Sequence, residues 1–160
     1  MKPKTSICIP VFNGESYIGT CLESCLSQSD TDFEVIVADD CSTDRTLEVV
    51  RGYCDGRIRV VRNRNNLGAI GNWNYAISLV CGKYVQLLCA DDFLYPSCLE
   101  KKTRILEDRK FATVQLVSAK RDLVDDRGKR LFTIPGFGRE EGMLSSKQVM
   151  RRTIRAGTNL

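Results

Sequence analysis

Short apolar runs alternate with amphipathic stretches along most of the chain, and the two kinds of segment differ in length and period. The apolar runs are rich in residues that favour strands and are too short for typical helices, so they predict buried strands. The amphipathic stretches carry apolar residues at helical spacing and predict helices that cover those strands. We predict strands at Thr5–Val11, Phe33–Ala38, Arg57–Arg62, Lys83–Ala90 and Phe111–Val117.

The predicted helices lie between these strands. The first spans Ser16–Gln28, the second follows N-cap candidates in Cys41–Asp44, the third is closed by Gly82, and the fourth begins after Pro96. Their apolar positions are Ile18, Cys21, Leu22, Cys25 and Leu26, then Leu47, Val49, Val50 and Tyr53, then Ile70, Trp73, Ile77, Leu79 and Val80, and finally Leu99, Ile105 and Leu106. Strands that alternate with helices predict a three-layer α/β/α fold with a mainly parallel sheet.

The regular pattern weakens after residue 120. We therefore expect an α/β core over residues 1–120 and an incomplete, less regular region over 121–160, within a single domain. Asp125–Gly128 reads as a turn, Pro135–Gly138 as a loop and Ser145–Arg155 as a basic amphipathic helix. Ala156–Leu160 carries no terminating element, which is the pattern of a truncated sequence.

The bulk composition excludes several classes of protein. With 42% hydrophobic and 28% charged residues the chain is expected to be globular, and a net charge of +4 is too small and too mixed to predict nucleic-acid binding. Met1–Lys4 leads directly into a strand-like run, so no signal peptide is visible. No apolar stretch approaches the roughly 20 residues of a membrane span. We expect a cytoplasmic protein whose contact with the inner face of a membrane, if any, is peripheral.

The chain has eight cysteines and no histidine. No CxxC pair is present, and most of the thiols lie in apolar surroundings, which favours reduced cysteines in a reducing compartment. Cys21 and Cys25 stand one helical turn apart; a buried helix face is the favoured interpretation and a metal site the alternative. Without histidine, the Ser/His and Cys/His nucleophilic mechanisms are excluded, so any chemistry must rest on carboxylates.

Some of the predicted strands end in loops with chemically useful side chains. These loops are Pro10–Asn13, Ala38–Ser42 and Cys89–Asp92, and parallel strands bring them to one edge of the sheet, where ligands bind in open α/β folds. An aromatic ring suits a nucleotide base, one carboxylate suits a base N–H, and paired carboxylates suit a divalent cation on a diphosphate. From the residues alone, Asp91 and Asp92 also fit a strand end followed by a helix N-cap.

Four segments together resemble the family 2 glycosyltransferases of the GT-A fold, in order and at matching spacing across nearly the whole chain. The segments are Ser6–Asn13, Glu34–Asp44, Asn66–Gly68 and Gly82–Pro96. The loop after the first strand has no GxGxxG, which argues against a dinucleotide oxidoreductase. It also lacks the glycine-rich, arginine-containing loop of a sugar-nucleotide pyrophosphorylase.

The resemblance implies a role for each site residue. Asp40 contacts the base of the nucleotide, Asp39 supports the loop, and Asp91 binds a divalent cation, Mn²⁺ or Mg²⁺, on the diphosphate. Asp92 is then an adjacent second ligand or a helix cap. The implied nucleotide-binding residues are Pro10, Phe12, Asp40, Asn66, Gly68 and Asp91.

The implied reaction transfers a sugar, with inversion, from a nucleotide-diphosphate sugar to an acceptor hydroxyl. A UDP-sugar is the favoured donor, and the acceptor is a saccharide or lipid-linked saccharide, as in bacterial polysaccharide assembly. The general base is expected beyond Leu160. A catalytically incomplete fragment or a non-catalytic nucleotide-binding module is the alternative. Two positions depart from the family pattern: Cys89 replaces the first Asp of the DxD metal motif, and Asn72–Asn74 replaces Ala-Arg-Asn.

Overall fold

The computed structural model of the chain describes residues 2–125 and 127–135. Its contacts divide the chain into two compact units, with the boundary between Arg104 and Ile105. The first unit contains a four-stranded sheet of order β3-β2-β1-β4. Its elements are β1 (Thr5–Val11), α1 (Ile18–Leu26), β2 (Phe33–Asp39), α2 (Thr46–Arg51), β3 (Ile58–Arg62), α3 (Gly68–Ser78) and β4 (Tyr84–Leu87), and α4 (Cys98–Glu107) follows them.

Both faces of the sheet are covered, which explains the continuous apolar runs of its central strands. Ile7 and Ile9 of β1 belong to one buried cluster that includes residues of α1 and α2. Cys8, which points to the other face, belongs to a second cluster that includes Ala76 of α3. Because successive side chains of a strand point to opposite faces, every residue of β1 is buried, and its apolar residues Ile7–Val11 are continuous.

All strand pairs of this sheet are parallel, so their carboxyl ends lie at one edge. The register places Val11 beside Asp39, Asp39 beside Arg62, and Cys8 beside Leu87. From β1 the chain adds β2 and then β3 on one side of the sheet. It then returns and adds β4 on the other side of β1, so the direction in which strands are added reverses between β1 and β4. Such a reversal is where open α/β sheets leave a crevice for a ligand. The predicted mainly parallel α/β sheet is confirmed.

The structure corrects the boundaries of the third helix and the fourth strand. α3 ends at Ser78, so Gly82 does not cap it, and β4 ends at Leu87 instead of Ala90. Leu88 N still donates to Cys8 O at 2.9 Å, after which the chain turns away from β1.

The predicted strand Phe111–Val117 is wrong. Arg109–Phe111 forms a short 3-10 helix, and no strand follows before Arg121 in the described residues. Leu116 is 65% exposed, so its apolar side chain finds no sheet face to cover, and strand propensity depends on such a face. The second unit instead contains an antiparallel pair, β5 (Arg121–Val124) and β6 (Arg130–Ile134). Between these strands Gly128 N donates to Asp125 O at 2.9 Å, as expected for the predicted turn. The predicted helix Ser145–Arg155 and residues 136–138 of the predicted loop lie outside the described residues.

Gly82 is required by close packing against β1. A Cβ atom built on Gly82 would lie 2.7 Å from Ser6 N and 2.9 Å from Thr5 C, which are backbone atoms that cannot rotate away. We expect Gly82→Ala to lower the free energy of unfolding by about 1–3 kcal/mol, as overpacking does in a filled interior. Urea unfolding followed by circular dichroism measures this change. Gly56→Ala is the matched control because nothing lies within 4 Å of its Cβ position; equal stability of the two variants would contradict the packing argument.

All eight cysteines lie in the described residues and are free thiols. Cys21 and Cys25 are fully buried on the inner side of α1, so the favoured interpretation of a buried helix face is confirmed. A hydrogen bond with the Cys25 side chain and burial raise the pKa of the Cys21 thiol, and burial raises the pKa of Cys8 to about 11. Among the described helices, none combines the length and apolar content that crossing a membrane requires.

Candidate functional site

Asp39, the last residue of β2, ties the loop after that strand to β3. Its carboxylate is fully buried and accepts from Ser42 N at 3.3 Å. Arg62 Nε lies 3.3 Å from Asp39 Oδ2, and Arg62 Nη2 donates to Ser42 O at 3.0 Å. The buried charge is therefore balanced by a cation and by hydrogen bonds, and the loop is held in one conformation.

Asp40 is 2% exposed and is oriented by the loop that follows β3. Asn63 Nδ2 donates to Asp40 Oδ1 at 2.7 Å, and Leu67 N donates to the same oxygen at 2.8 Å. Asn66 Nδ2 donates to the Asp40 carbonyl oxygen at 3.2 Å. No described residue donates to Asp40 Oδ2. Oδ1 therefore accepts two hydrogen bonds from the protein, and Oδ2 remains available to accept one from a ligand.

Asn63 and Asn72 complete a buried polar network that the sequence analysis missed. Asn63 Nδ2 also donates to Asn72 Oδ1 at 2.9 Å, and Asn72 Nδ2 donates to Ala38 O at 2.9 Å. Asn63 Oδ1 is buried without a hydrogen-bond partner. The hydrophobic pattern gave the wrong signal here, because the predicted apolar positions Ile70, Trp73 and Ile77 are exposed, whereas Asn72 and Ala76 are buried.

The loop after β1 is joined to the loop after β2 by hydrogen bonds. Ser42 Oγ accepts from Asn13 N at 2.9 Å, and Asn13 Oδ1 accepts from Thr43 N at 2.8 Å. Phe12 is 52% exposed beside these bonds, whereas Pro10 is buried within β1. The two loops therefore form one rigid surface from which the Phe12 ring projects.

Cys89, Asp91 and Asp92 form a cluster just beyond the end of β4. One ligand atom from each, the Sγ of Cys89 and a carboxylate oxygen of each Asp, lies within 4.8 Å of the others. Asp92 N donates to Cys89 O at 3.0 Å, and this turn brings the side chains together. Burial raises the pKa of the Cys89 thiol, and the charges of Asp92 and Asp91 raise it further. The three ligand atoms lie close enough together to contact one cation, for which the carboxylates supply hard oxygen ligands and the thiol a soft sulfur ligand.

The structure brings the predicted site residues to the carboxyl edge of one sheet. Asn66 contacts Asp40, and Gly68, the exposed first residue of α3, adopts a φ of 70° and donates its N–H to Asn66 Oδ1 at 2.9 Å. Asp91 and Asp92 are exposed at the end of β4, and β1 separates that strand from β2. Two strand spacings, about 10 Å across the sheet, therefore separate the strands that deliver Asp40 and the cation cluster.

A cleft of about 360 Å³ lies at the opposite edge of the sheet, near the amino ends of β1, β2 and β3. Both arginines that line it lie near carboxylates: Arg57 pairs with Asp55, and Arg59 Nη2 lies 4.0 Å from Glu34 Oε2. Arg57 Nη2 donates to Asp55 Oδ2 at 2.9 Å and stacks over the Phe33 ring, and this pairing lowers the pKa of Asp55 to about 2. Among the described residues, the clustered carboxylates that a ligand or cation could contact therefore lie at the carboxyl edge.

Comparisons with known proteins agree with this geometry. The family described as Glycosyl transferase family 2 matches residues 6–156. A putative glycosyltransferase, EpsE of Bacillus subtilis (strain 168), is 33% identical over 131 residues, which are 80% of this chain and 46% of that protein. A putative teichuronic acid biosynthesis glycosyltransferase, TuaG of the same strain, is 37% identical over 113 residues, or 69% of this chain and 45% of that protein.

Among solved structures, residues 1–349 of S. aureus TarS in complex with UDP superpose with a TM-score of 0.63. The two sequences are 31% identical, and the match covers 75% of this chain and 34% of that chain. The chain spans less than half the length of the two curated relatives. Because the family match extends over nearly the whole sequence and the fold agrees, the chain belongs to glycosyl transferase family 2 and has the α/β architecture of its GT-A members.

Proposed function

We propose that this chain is the nucleotide-sugar-binding part of a glycosyltransferase that transfers a sugar to an acceptor hydroxyl with inversion at the anomeric carbon. The observation that carries the proposal is the position of Asp40 and of the cation cluster, which follow β2 and β4 at the same edge of the sheet of a family 2 chain. Residues 1–120 would form the donor-binding core, and residues 121–160 would belong to the acceptor side.

The hydrogen bonds of Asp40 favour a uridine nucleotide. Asn63 and Leu67 occupy Oδ1, so only Oδ2 remains to accept from the base. Uracil presents one ring N–H between two carbonyl groups, whereas guanine presents two adjacent donors that a carboxylate binds best with both oxygens. The S. aureus TarS structures with UDP and with UDP-GlcNAc support the same assignment.

The exposed ring of Phe12 suits stacking against the base, since an aromatic face contacts a base with little dependence on its identity. In this proposal Pro10 forms the floor of the base pocket, and the Asn66–Gly68 turn keeps Leu67 N against Asp40. The chain therefore binds the nucleoside with groups from the loops after β1, β2 and β3.

The cluster after β4 would hold a divalent cation through Asp91, with Asp92 and Cys89 beside it. When bound, such an ion supplies charge neutralisation for the departing diphosphate. The chain itself positions the diphosphate at the end of β4, so that an acceptor hydroxyl attacks from the side opposite the nucleotide. We assign no described residue as the general base.

We further propose a saccharide or lipid-linked saccharide as the acceptor and a reducing, cytoplasmic location. The match to a relative described as a teichuronic acid biosynthesis glycosyltransferase supports a role in assembling a surface polysaccharide. The free thiols of Cys54 and Cys81, both exposed, support a compartment in which exposed cysteines stay reduced.

Calorimetric titration of the chain with UDP tests this proposal. We expect UDP binding to require Mn²⁺. We also expect UDP to bind at least about tenfold more tightly than GDP, because a guanine donor left without an acceptor costs about 1–3 kcal/mol of binding free energy. Titrations without metal, and with metal but GDP, are the controls. Absence of UDP binding at saturating Mn²⁺, or equal affinities for UDP and GDP, would overturn the assignment of the nucleotide.

A further inference from the structure

The cation cluster contains a donor that does not suit the ions usually associated with diphosphates. Cys89 Sγ lies within 4.8 Å of one carboxylate oxygen of Asp91 and one of Asp92. Mg²⁺ prefers an all-oxygen, near-octahedral set of ligands, whereas sulfur is a soft donor that favours Zn²⁺, Co²⁺ and other thiophilic cations. A single sulfur in this position therefore changes which ion the cluster holds best.

The placement of Cys89 differs from that of the cysteines in the interior. Cys8, Cys21 and Cys25 are fully buried, whereas Cys89 is half-buried next to two exposed carboxylates. The carbonyl oxygen of Cys89 accepts two hydrogen bonds, one from Asp92 N at 3.0 Å and one from Cys21 Sγ at 3.6 Å. These bonds hold the backbone of Cys89 at the turn, and its Sγ lies within 4.8 Å of a carboxylate oxygen of Asp91 and of Asp92.

Resting on the cation role proposed above, we propose that Cys89 is a metal ligand and makes this site prefer thiophilic divalent cations, such as Co²⁺, Zn²⁺ and Cd²⁺, over Mg²⁺. Asp91 and Asp92 supply the oxygen ligands, and Cys89 supplies the selectivity. The thiol loses its proton to water when the cation binds, since sulfur coordinates as the thiolate.

Anaerobic titration of the metal-free chain with Co²⁺ tests the sulfur ligand directly. A thiolate bound to Co²⁺ gives a charge-transfer absorption in the near ultraviolet that carboxylates do not give. Exposed Cys54 and Cys81 are first replaced by serine, so that neither contributes to the spectrum. We expect one equivalent of Co²⁺ to produce the band in this background and Cys89→Ser to lose it. Cys98→Ser, which removes another half-buried thiol, is the matched control and should retain it.

The selectivity is tested with Cys89→Asp, which changes the cluster to an all-oxygen set. We expect the ratio of Cd²⁺ affinity to Mg²⁺ affinity, measured by competition calorimetry, to fall at least tenfold in this variant. Thermal unfolding of each variant verifies that the α/β core remains folded. An unchanged ratio, or a cobalt band that persists in folded Cys89→Ser, would overturn the proposal.

The two proposals fail in different experiments. If UDP binds with Mn²⁺ but the Co²⁺ spectrum contains no thiolate band, Cys89 is not a ligand and the nucleotide assignment stands. If the thiolate band appears and depends on Cys89 but UDP does not bind with any of these cations, the metal inference holds and the nucleotide assignment falls.

Discussion

Asp91→Ala is expected to abolish cation-dependent binding of UDP while the chain remains folded. Asp91 is exposed at the end of β4, so its removal leaves no buried cavity. Its carboxylate supplies one of the oxygen ligands of the proposed cation, and neutralising a diphosphate is worth several kcal/mol. We expect the affinity for UDP at saturating Mn²⁺ to fall by about 100-fold or more in calorimetric titration.

The matched control for this variant is Glu107→Ala, which removes an exposed carboxylate from α4. This control should bind UDP as the unmodified chain does. The unfolding temperature of both variants should remain within about 2–4 °C of the original value, the shift that about 1 kcal/mol produces in a chain of this size. Equal heats of UDP binding for Asp91→Ala and the unmodified chain would remove Asp91 from the site.

Asp40→Asn is expected to change which pyrimidine nucleotide the chain prefers. Asn63 and Leu67 both donate to Oδ1, so an asparagine amide must keep its oxygen in that position and place its NH₂ group where Oδ2 was. Uracil N3–H would then face a donor, whereas N3 of cytosine is an acceptor and would face a suitable partner. We expect UDP affinity to fall about 100-fold and the CDP-to-UDP affinity ratio to rise by at least that factor.

Calorimetric titration of both nucleotides with saturating Mn²⁺ measures this exchange. Asp55→Asn is the control, because Asp55 pairs with Arg57 at the opposite edge of the sheet and should leave both affinities unchanged. A folded Asp40→Asn variant with an unchanged ratio would show that Asp40 does not accept from the base.

The sequence pattern was most reliable where both faces of a strand are buried. β1 and β2 lie at the centre of the sheet, and every residue of β1 is buried, so the apolar run and the strand coincide. Phe111–Val117 carries a similar run, yet no strand forms there. An apolar run shows only that burial would be favourable, whereas a strand also needs a neighbouring strand to pair with its backbone hydrogen-bonding groups.

The loops of the candidate site were predictable as a group, because parallel strands connected by helices must end at one edge. The hydrogen bonds inside the site were not. Asn63 and Asn72 stand nine residues apart in the chain and meet only because the loop after β3 folds back over Asp40. The roles assigned to Pro10, Phe12, Asp40 and Asp91 stay predictions that the proposed titrations test.

The hydrophobic pattern along the sequence thus predicted the order of helices and strands in the core, the parallel sheet and the edge at which the polar loops lie. These features depend on hydrophobic periodicity and on short connections between neighbouring elements, and both can be recognised in the sequence. Only the tertiary structure shows which oxygen of Asp40 is available to a ligand and why Gly82 must lack a side chain. It also shows that the Cys89 sulfur lies beside two carboxylates just beyond the end of β4. Each of these depends on atoms from separate segments approaching within a few ångströms, and no spacing along the chain encodes such distances.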